Sequence, residues 1–175
     1  MTPSSRQTNR KPKRNSGAPP SVAIIVEEPA WRAAMQSLRA DLRRAVRLAL
    51  KRSGKGASGT LTLLLTDDAA LKRMNAQFRD KNKATNVLSF PAAANAEHHL
   101  GDIAMAYGVT AREAQEAGKS FADHATHLAV HGVLHLLGYD HQTAAEAKVM
   151  EPLEVAILSE LGIADPYAVR ATEVA

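Results

Sequence analysis

The segment His131–His141, with the sequence HGVLHLLGYDH, constrains this chain more than any other feature. Its first half is apolar, contains no proline and has a single β-branched residue, a composition that favours a helix. On a helix His131 and His135 lie on one face, one turn apart, with Cβ atoms about 6 Å from each other. Gly138 suits the end of this helix because glycine adopts the left-handed conformation easily. The chain can then turn back and carry His141 toward the other two imidazoles.

Three imidazoles that converge in this way predict a metal site. Three protein ligands with an open fourth position are typical of a catalytic zinc centre, and imidazole nitrogen is a common zinc ligand. The same spacing occurs in one class of metalloproteases, in which a glutamate directly follows the first histidine and acts as the general base. Here Gly132 occupies that position and cannot accept a proton. The sequence keeps the metal ligands of that class without its base.

Apolar periodicity predicts an α+β fold for the rest of the chain. Strands are expected over residues 22–26, 60–65, 86–90 and 100–106. Helices are expected over about 31–52, 67–77, 110–117, 120–137 and 144–161. Together they predict one domain, in which helices pack a small mixed sheet of about four strands. The metal site is expected at the end of the histidine-bearing helix.

Local signals predict how several of these helices begin. Thr66 is a candidate N-cap for the second helix. Residues 110–113 and 143–146 both have the form of a capping box. Pro152 is expected to kink or split the last helix, because proline removes one backbone hydrogen bond.

Charge is distributed unevenly along the 175 residues. Residues 1–20 carry five Lys or Arg and no acidic residue, and their composition predicts a disordered basic arm, which suits either contact with RNA phosphates or a solubilising role. A single domain is expected over residues 21–167, with a short tail at 168–175. Residues 31–55 hold eight basic residues and one acidic residue, which suggests an anionic partner, although a solvated helix face has the same composition.

The composition also indicates in which cellular compartment the protein is expected. The chain contains no cysteine, which excludes disulfides and thiolate metal ligands. No apolar run approaches the ~18 residues that a membrane span requires. The N-terminus lacks the apolar stretch of a signal peptide. We therefore expect a cytoplasmic protein without a membrane partner.

The motif at residues 131–141 resembles the signature of the YbeY family of bacterial rRNA-maturation proteins, which is close to His-Gly-x-Leu-His-Leu-x-Gly-Tyr-Asp-His. Residues 79–91 are similar to a second block of that family, although Asn82 stands where the family pattern has Asp. The resemblance covers roughly residues 22–167. It implies an endoribonuclease with one zinc ion and specificity for single strands, which matures the 3′ end of 16S rRNA and acts in ribosome assembly and quality control. The implied partners are ribosomal RNA and the small ribosomal subunit, and DNA is not expected.

The resemblance also implies roles for single residues. The three motif histidines would hold the zinc ion, and Arg79 would be catalytic. A guanidinium fits a phosphate bidentately and stabilises charge on its oxygens, whereas an isolated arginine more often forms a surface ion pair. Lys81, Lys83 and His127 are candidates for substrate binding. Asp102 suits either support of a ligand imidazole or a turn after the preceding glycine.

Two other functions stay open at this level. One is a metalloprotease-like hydrolase that lacks the usual glutamate base. The other is a non-enzymatic ribosome-assembly factor with a structural metal, which the basic first half of the chain suggests. The sequence does not identify a general base for any of these reactions.

Overall fold

The computed structural model describes residues 20–55 and 58–168, so most of the predicted basic arm and of the predicted tail lies outside the described residues. Within the described part, no helix is both long and apolar enough to cross a membrane. The elements follow the chain in the order β1 (Ser21–Val26), α1 (Pro29–Arg52), β2 (Thr60–Thr66), α2 (Asp68–Arg79), β3 (Val87–Pro91), β4 (His99–Ala106), α3 (Tyr107–Glu116), α4 (Phe121–Leu136) and α5 (Ala144–Glu160).

The four strands form one mixed sheet in the order β1-β2-β4-β3. Strand β2 pairs in parallel with both β1 and β4, whereas β3 pairs with β4 in the antiparallel direction. In this register Ile24 lies beside Leu63, and Leu63 lies beside Ile103. The predicted α+β fold with a small mixed sheet is confirmed.

The larger apolar core lies between one face of the sheet and helices α1, α4 and α5. Alternate residues of β2 and β4 point into it, and α4 lies at its centre. Its fully buried members include Trp31, Leu42, Leu63, Ile103, Val133, Met150 and Ile157. On the opposite face a smaller cluster packs α2 against the sheet through Leu71, Leu88, Ala104 and Ala106.

Helix α4 makes its closest approach to the sheet at Gly132. A Cβ atom at this position would lie 2.8 Å from Cγ2 of Ile103 and 3.2 Å from Oγ of Ser89. The Ser89 hydroxyl donates a hydrogen bond of 3.1 Å to the Gly132 carbonyl and so joins β3 to the same turn of α4. Position 132 therefore faces the sheet, and close packing accounts for the glycine.

Two predicted helix starts are wrong. Asp67, not Thr66, caps α2, and its carboxylate accepts a hydrogen bond from the first turn while Thr66 ends β2. Helix α3 begins at Tyr107, directly after β4, so Thr110 lies inside the helix and cannot form a capping box. Its hydroxyl instead donates a 2.6 Å hydrogen bond to the carbonyl of Ala106.

The start of α5 is as predicted. Thr143 and Glu146 form a reciprocal capping box, with hydrogen bonds of 2.9 and 3.2 Å. Pro152 lies inside α5 and does not split it. The carbonyl that loses its hydrogen bond belongs to Lys148, and both residues are exposed, so water can replace the missing donor.

We expect Gly132→Ala to destabilise the fold by about 1–3 kcal/mol, because the added methyl group overpacks the contact with the sheet. Urea unfolding measures the change in the free energy of unfolding. Ile103→Ala removes the atom that the new methyl group would meet, so the double variant should lose less stability than the sum of the single variants. Strict additivity would show that this contact does not constrain position 132.

Candidate metal centre

The three motif histidines meet at the C-terminal end of α4. Gly138 follows the helix with φ 83°, the left-handed conformation that reverses the chain. The ring centroid of His131 lies 4.6 Å from that of His135 and 5.1 Å from that of His141. One nitrogen from each ring lies within 4.8 Å of the other two, so the three residues could hold a metal ion.

The separation of two of these nitrogens is close to that of two ligands on one metal ion. Nε2 of His131 lies 3.0 Å from Nε2 of His135. Zinc–nitrogen bonds of about 2.0–2.1 Å at tetrahedral angles separate two ligand atoms by about 3.3 Å. Burial, together with the neighbouring His131 and His141, lowers the pKa of His135 to about 4. Its imidazole is therefore neutral near pH 7, which is the form that coordinates a metal.

Glu154 holds the ring of His131 from the side opposite the centre. Its Oε1 lies 3.0 Å from Nδ1 of His131, and its side chain is fully buried. Because an ionised carboxylate only accepts hydrogen bonds, Nδ1 carries the proton and Nε2 presents its lone pair to the centre. Burial alone would raise the pKa of Glu154, but the adjacent His127 and His131 lower it to about 2.

Two further residues surround the same carboxylate. The Tyr167 hydroxyl donates a short hydrogen bond to Oε2 of Glu154. Burial and the neighbouring Glu154 raise the pKa of Tyr167, so it stays protonated and keeps donating. Nε2 of His127 lies 3.3 Å from Oε1 of Glu154. His127 thus belongs to the buried support of the centre, behind His131.

A cavity of about 520 Å³ opens beside the three histidines. Its lining combines the metal-binding side chains with basic and amide side chains from the segment between α2 and β3 and from the end of α2. The lining residues are Arg79, Lys81, Asn86, Val87, Ser89, His131, His135, Asp140, His141 and Gln142. A polar ligand with negative charge suits this lining better than an apolar one.

Arg79, the last residue of α2, lies on the wall of this cavity. Its Nη2 donates a 3.3 Å hydrogen bond to the carbonyl of Ser89, which directs the guanidinium along β3. Within the described ranges Arg79 forms no ion pair with an acidic side chain, so its remaining donors are available to a ligand. This position suits a phosphate oxygen near the metal centre.

Of the two lysines predicted to bind substrate, only one lines the cavity. Lys81 lines the cavity with Arg79, whereas Lys83 is not part of the lining. Of the two roles considered for Asp102, support of a ligand imidazole does not match its contacts, because its carboxylate pairs with His99 at 3.0 Å and not with a motif histidine. Asp102 also remains exposed.

Asn86 was not predicted as a site residue, but it lies on the cavity wall in a fixed position. Its amide donates to the carboxylate of Glu113 at 2.9 and 3.2 Å, and its carbonyl accepts from the Val87 N–H at 2.6 Å. Nε2 of His124 lies 2.8 Å from the same carboxylate. Burial lowers the pKa of His124 and Glu113 opposes this effect. This network ties α3 and α4 to the cavity wall.

Sequence reasoning also missed Glu154, although a signal was present. The apolar stripe of α5 includes Met150 and Ile157, both fully buried. Glu154 is four residues after the first and three before the second, so it lies on the same buried face. A carboxylate at such a position requires a buried partner.

The fold and the site define an α+β protein in which three convergent histidines line a basic cavity. The family model for endoribonuclease YbeY matches residues 25–162, and the chain belongs to this family. A relative named endoribonuclease YbeY from Maricaulis maris (strain MCS10) is 48% identical over 147 residues, which cover 84% of this chain and 91% of the relative. Family membership supports an RNA-cleaving hydrolase.

A second relative agrees with this assignment, and a solved structure agrees with the fold. An endoribonuclease YbeY from Chelativorans sp. (strain BNC1) is 51% identical over 136 residues, which cover 75% of this chain and 83% of the relative. A solution structure of a protein from Thermotoga maritima has a TM-score of 0.50 and 22% identity, with 85% of this chain and 99% of that chain covered. At this identity the solved structure supports the fold alone.

We expect Glu154→Gln to weaken zinc binding about 10- to 100-fold, because an amide holds the His131 ring less firmly in the coordinating tautomer. Competition with a chromophoric chelator measures the affinity. Glu151→Gln, three residues earlier on α5, removes the same charge away from the ring and should bind zinc normally. Equal affinities for both variants would show that Glu154 does not orient His131.

Proposed function

We propose that this protein is a zinc-dependent endoribonuclease, specific for single-stranded RNA, that processes ribosomal RNA at the 3′ end of 16S rRNA. Its domain is residues 21–167, and its partners are ribosomal RNA and the small ribosomal subunit during assembly and quality control. The observation that carries the proposal is the convergence of His131, His135 and His141 beside a cavity that Arg79 also lines. The names of the relatives in the matched family support RNA as the substrate.

In this proposal His131, His135 and His141 hold the zinc ion. A bound zinc ion supplies Lewis acidity for the hydrolysis of a phosphodiester. Glu154 keeps the proton on Nδ1 of His131, so the coordinating nitrogen stays unprotonated. The hydrogen bond from Tyr167 holds the other carboxylate oxygen of Glu154 in place.

Arg79 and Lys81 bind the phosphate in the cavity. The cleaved phosphate gains negative charge in the transition state, and a guanidinium held in advance stabilises that charge more than it stabilises the ground state. Arg79 is held in advance by the carbonyl of Ser89, and Ser89 is itself fixed to α4 through Gly132. The phosphate-binding side of the cavity is thus connected to the helix that carries two of the histidines.

Position 132 argues against a peptidase of the related spacing. A glutamate base would have to replace Gly132, where even a Cβ atom meets Ile103 at 2.8 Å. The helix face that offers the base in those enzymes is packed against the sheet in this protein. Phosphodiester hydrolysis beside Arg79 therefore fits the site better than peptide hydrolysis.

We expect zinc-loaded protein to cleave small-subunit rRNA precursor fragments, and both His135→Ala and Arg79→Ala to abolish or strongly reduce cleavage. Loss of one preorganised hydrogen-bond donor to the reacting group typically lowers kcat by about 10²–10³-fold. Gel analysis of end-labelled fragments measures cleavage, and zinc analysis shows that Arg79→Ala still binds the ion.

Arg73→Ala is the matched control, because Arg73 is an exposed arginine of the same helix outside the cavity lining. It should cleave as the wild type does. Equal cleavage by all four proteins would indicate a contaminating nuclease and would reject the assigned site. RNA binding without cleavage by the zinc-loaded wild type would favour the assembly-factor alternative.

A further inference from the structure

An unusually regular set of cations runs along the exposed side of α1. Every fourth residue over 39–55 is Arg or Lys, and four of the five side chains are exposed while the second is half-buried. The first four lie on α1, where residues four apart are neighbours on the surface and form a continuous ridge. The fifth comes three residues after the end of the helix and extends the positive charge beyond the C-cap. We call this set the basic row; its members are Arg39, Arg43, Arg47, Lys51 and Lys55.

The basic row is unfavourable for the isolated helix. Like charges four residues apart repel each other. The helix dipole favours cations in the last turn only, which leaves Arg39 and Arg43 without that compensation. Within residues 20–55 and 58–168, no member of the row forms an ion pair. The nearby Glu160 pairs with Arg52 at 2.6 Å, which is outside the row. An anionic partner would therefore relieve the repulsion within the row.

One end of the basic row contacts the loop of the metal centre. Nζ of Lys55 donates a 2.5 Å hydrogen bond to the Leu137 carbonyl and lies 4.3 Å from the ring centroid of Tyr139. The Tyr139 hydroxyl in turn donates a 2.7 Å hydrogen bond to the carbonyl of Ser53, the C-cap of α1. Two residues after Tyr139 comes His141, so the row leads directly to the segment that completes the histidine cluster.

The middle of the basic row borders a depression on the surface of α1. Arg44, Arg47 and Lys51 line one depression of about 330 Å³, in which Glu160 is the only acidic lining residue among those described. From Arg39 to Lys51 the helix rises about 18 Å, which is longer than a single nucleotide. A chain of phosphates matches this length and charge, whereas one small anion would occupy only the depression.

We propose that the basic row binds the phosphate backbone of the RNA that flanks the segment in the cavity. The inference rests on the proposed function, because it assigns a second contact surface to the same substrate. The row supplies affinity and orientation without reading bases, as cations that contact phosphates do. The cavity around Arg79 and the three histidines then receives the nucleotide to be cleaved.

The test replaces three exposed members of the row, Arg39→Gln/Arg47→Gln/Lys51→Gln, since glutamine has a similar helix propensity. Fluorescence anisotropy measures the affinity for a long rRNA precursor fragment at several salt concentrations. We expect affinity to fall about tenfold or more at physiological salt, and the slope of log affinity against log salt to fall by about two to three. Cleavage should show a raised KM for this fragment and an unchanged kcat.

The matched control is Lys72→Gln/Arg73→Gln/Lys148→Gln, which removes three exposed cations from α2 and α5. It should retain the wild-type affinity and salt dependence. An oligonucleotide of about eight nucleotides, within the usual length of a single-strand site, should be bound and cleaved equally by all three proteins.

An unchanged salt slope in the row variant, or an equal decrease in the control, would overturn the inference. The binding measurement does not depend on catalysis, so it separates the two proposals. Failure of the wild type to cleave the short oligonucleotide would count against the nuclease function. Loss of the slope in the row variant would still assign the RNA-binding surface.

Discussion

The contact between α4 and the sheet at Gly132 determines the geometry of the whole site. Only a residue without a side chain lets the helix backbone lie against Ile103 and accept the hydrogen bond from Ser89. This close approach sets the depth of His131 and His135 relative to β3. It also fixes the strand whose carbonyl directs Arg79. The histidine cluster and Arg79 are therefore positioned relative to each other through one backbone contact.

The second constraint is a charged group in the core. A fully buried carboxylate is costly unless its oxygens are hydrogen-bonded, and Glu154 has a partner on each oxygen. Satisfying it requires α4, α5 and the segment near Tyr167 to take one relative arrangement. The same contacts that make the burial of Glu154 tolerable also orient His131. The stability of the fold and the geometry of the histidine cluster therefore depend on the same hydrogen bonds.

Sequence reasoning predicted the parts of the molecule that depend on local patterns. The strands, the helix with two histidines, the turn at Gly138 and the capping box at Thr143 all arise from neighbours within a few residues. The early start of α3 was missed because its first turn has no capping side chain and continues directly from β4. Asn86 and Glu154 were missed because each contacts a partner more than twenty residues away in the chain.

The hydrogen bond from Tyr167 to Glu154 connects the segment after α5 to the buried side of His131. Tyr167 follows α5 by several residues and is the last residue of the predicted domain. Its hydroxyl completes the polar cluster behind His131, so the segment 161–167 is connected to the histidine cluster through Glu154. A purification tag or a fusion partner joined close to Tyr167 would therefore disturb the residue that holds Glu154 against His131.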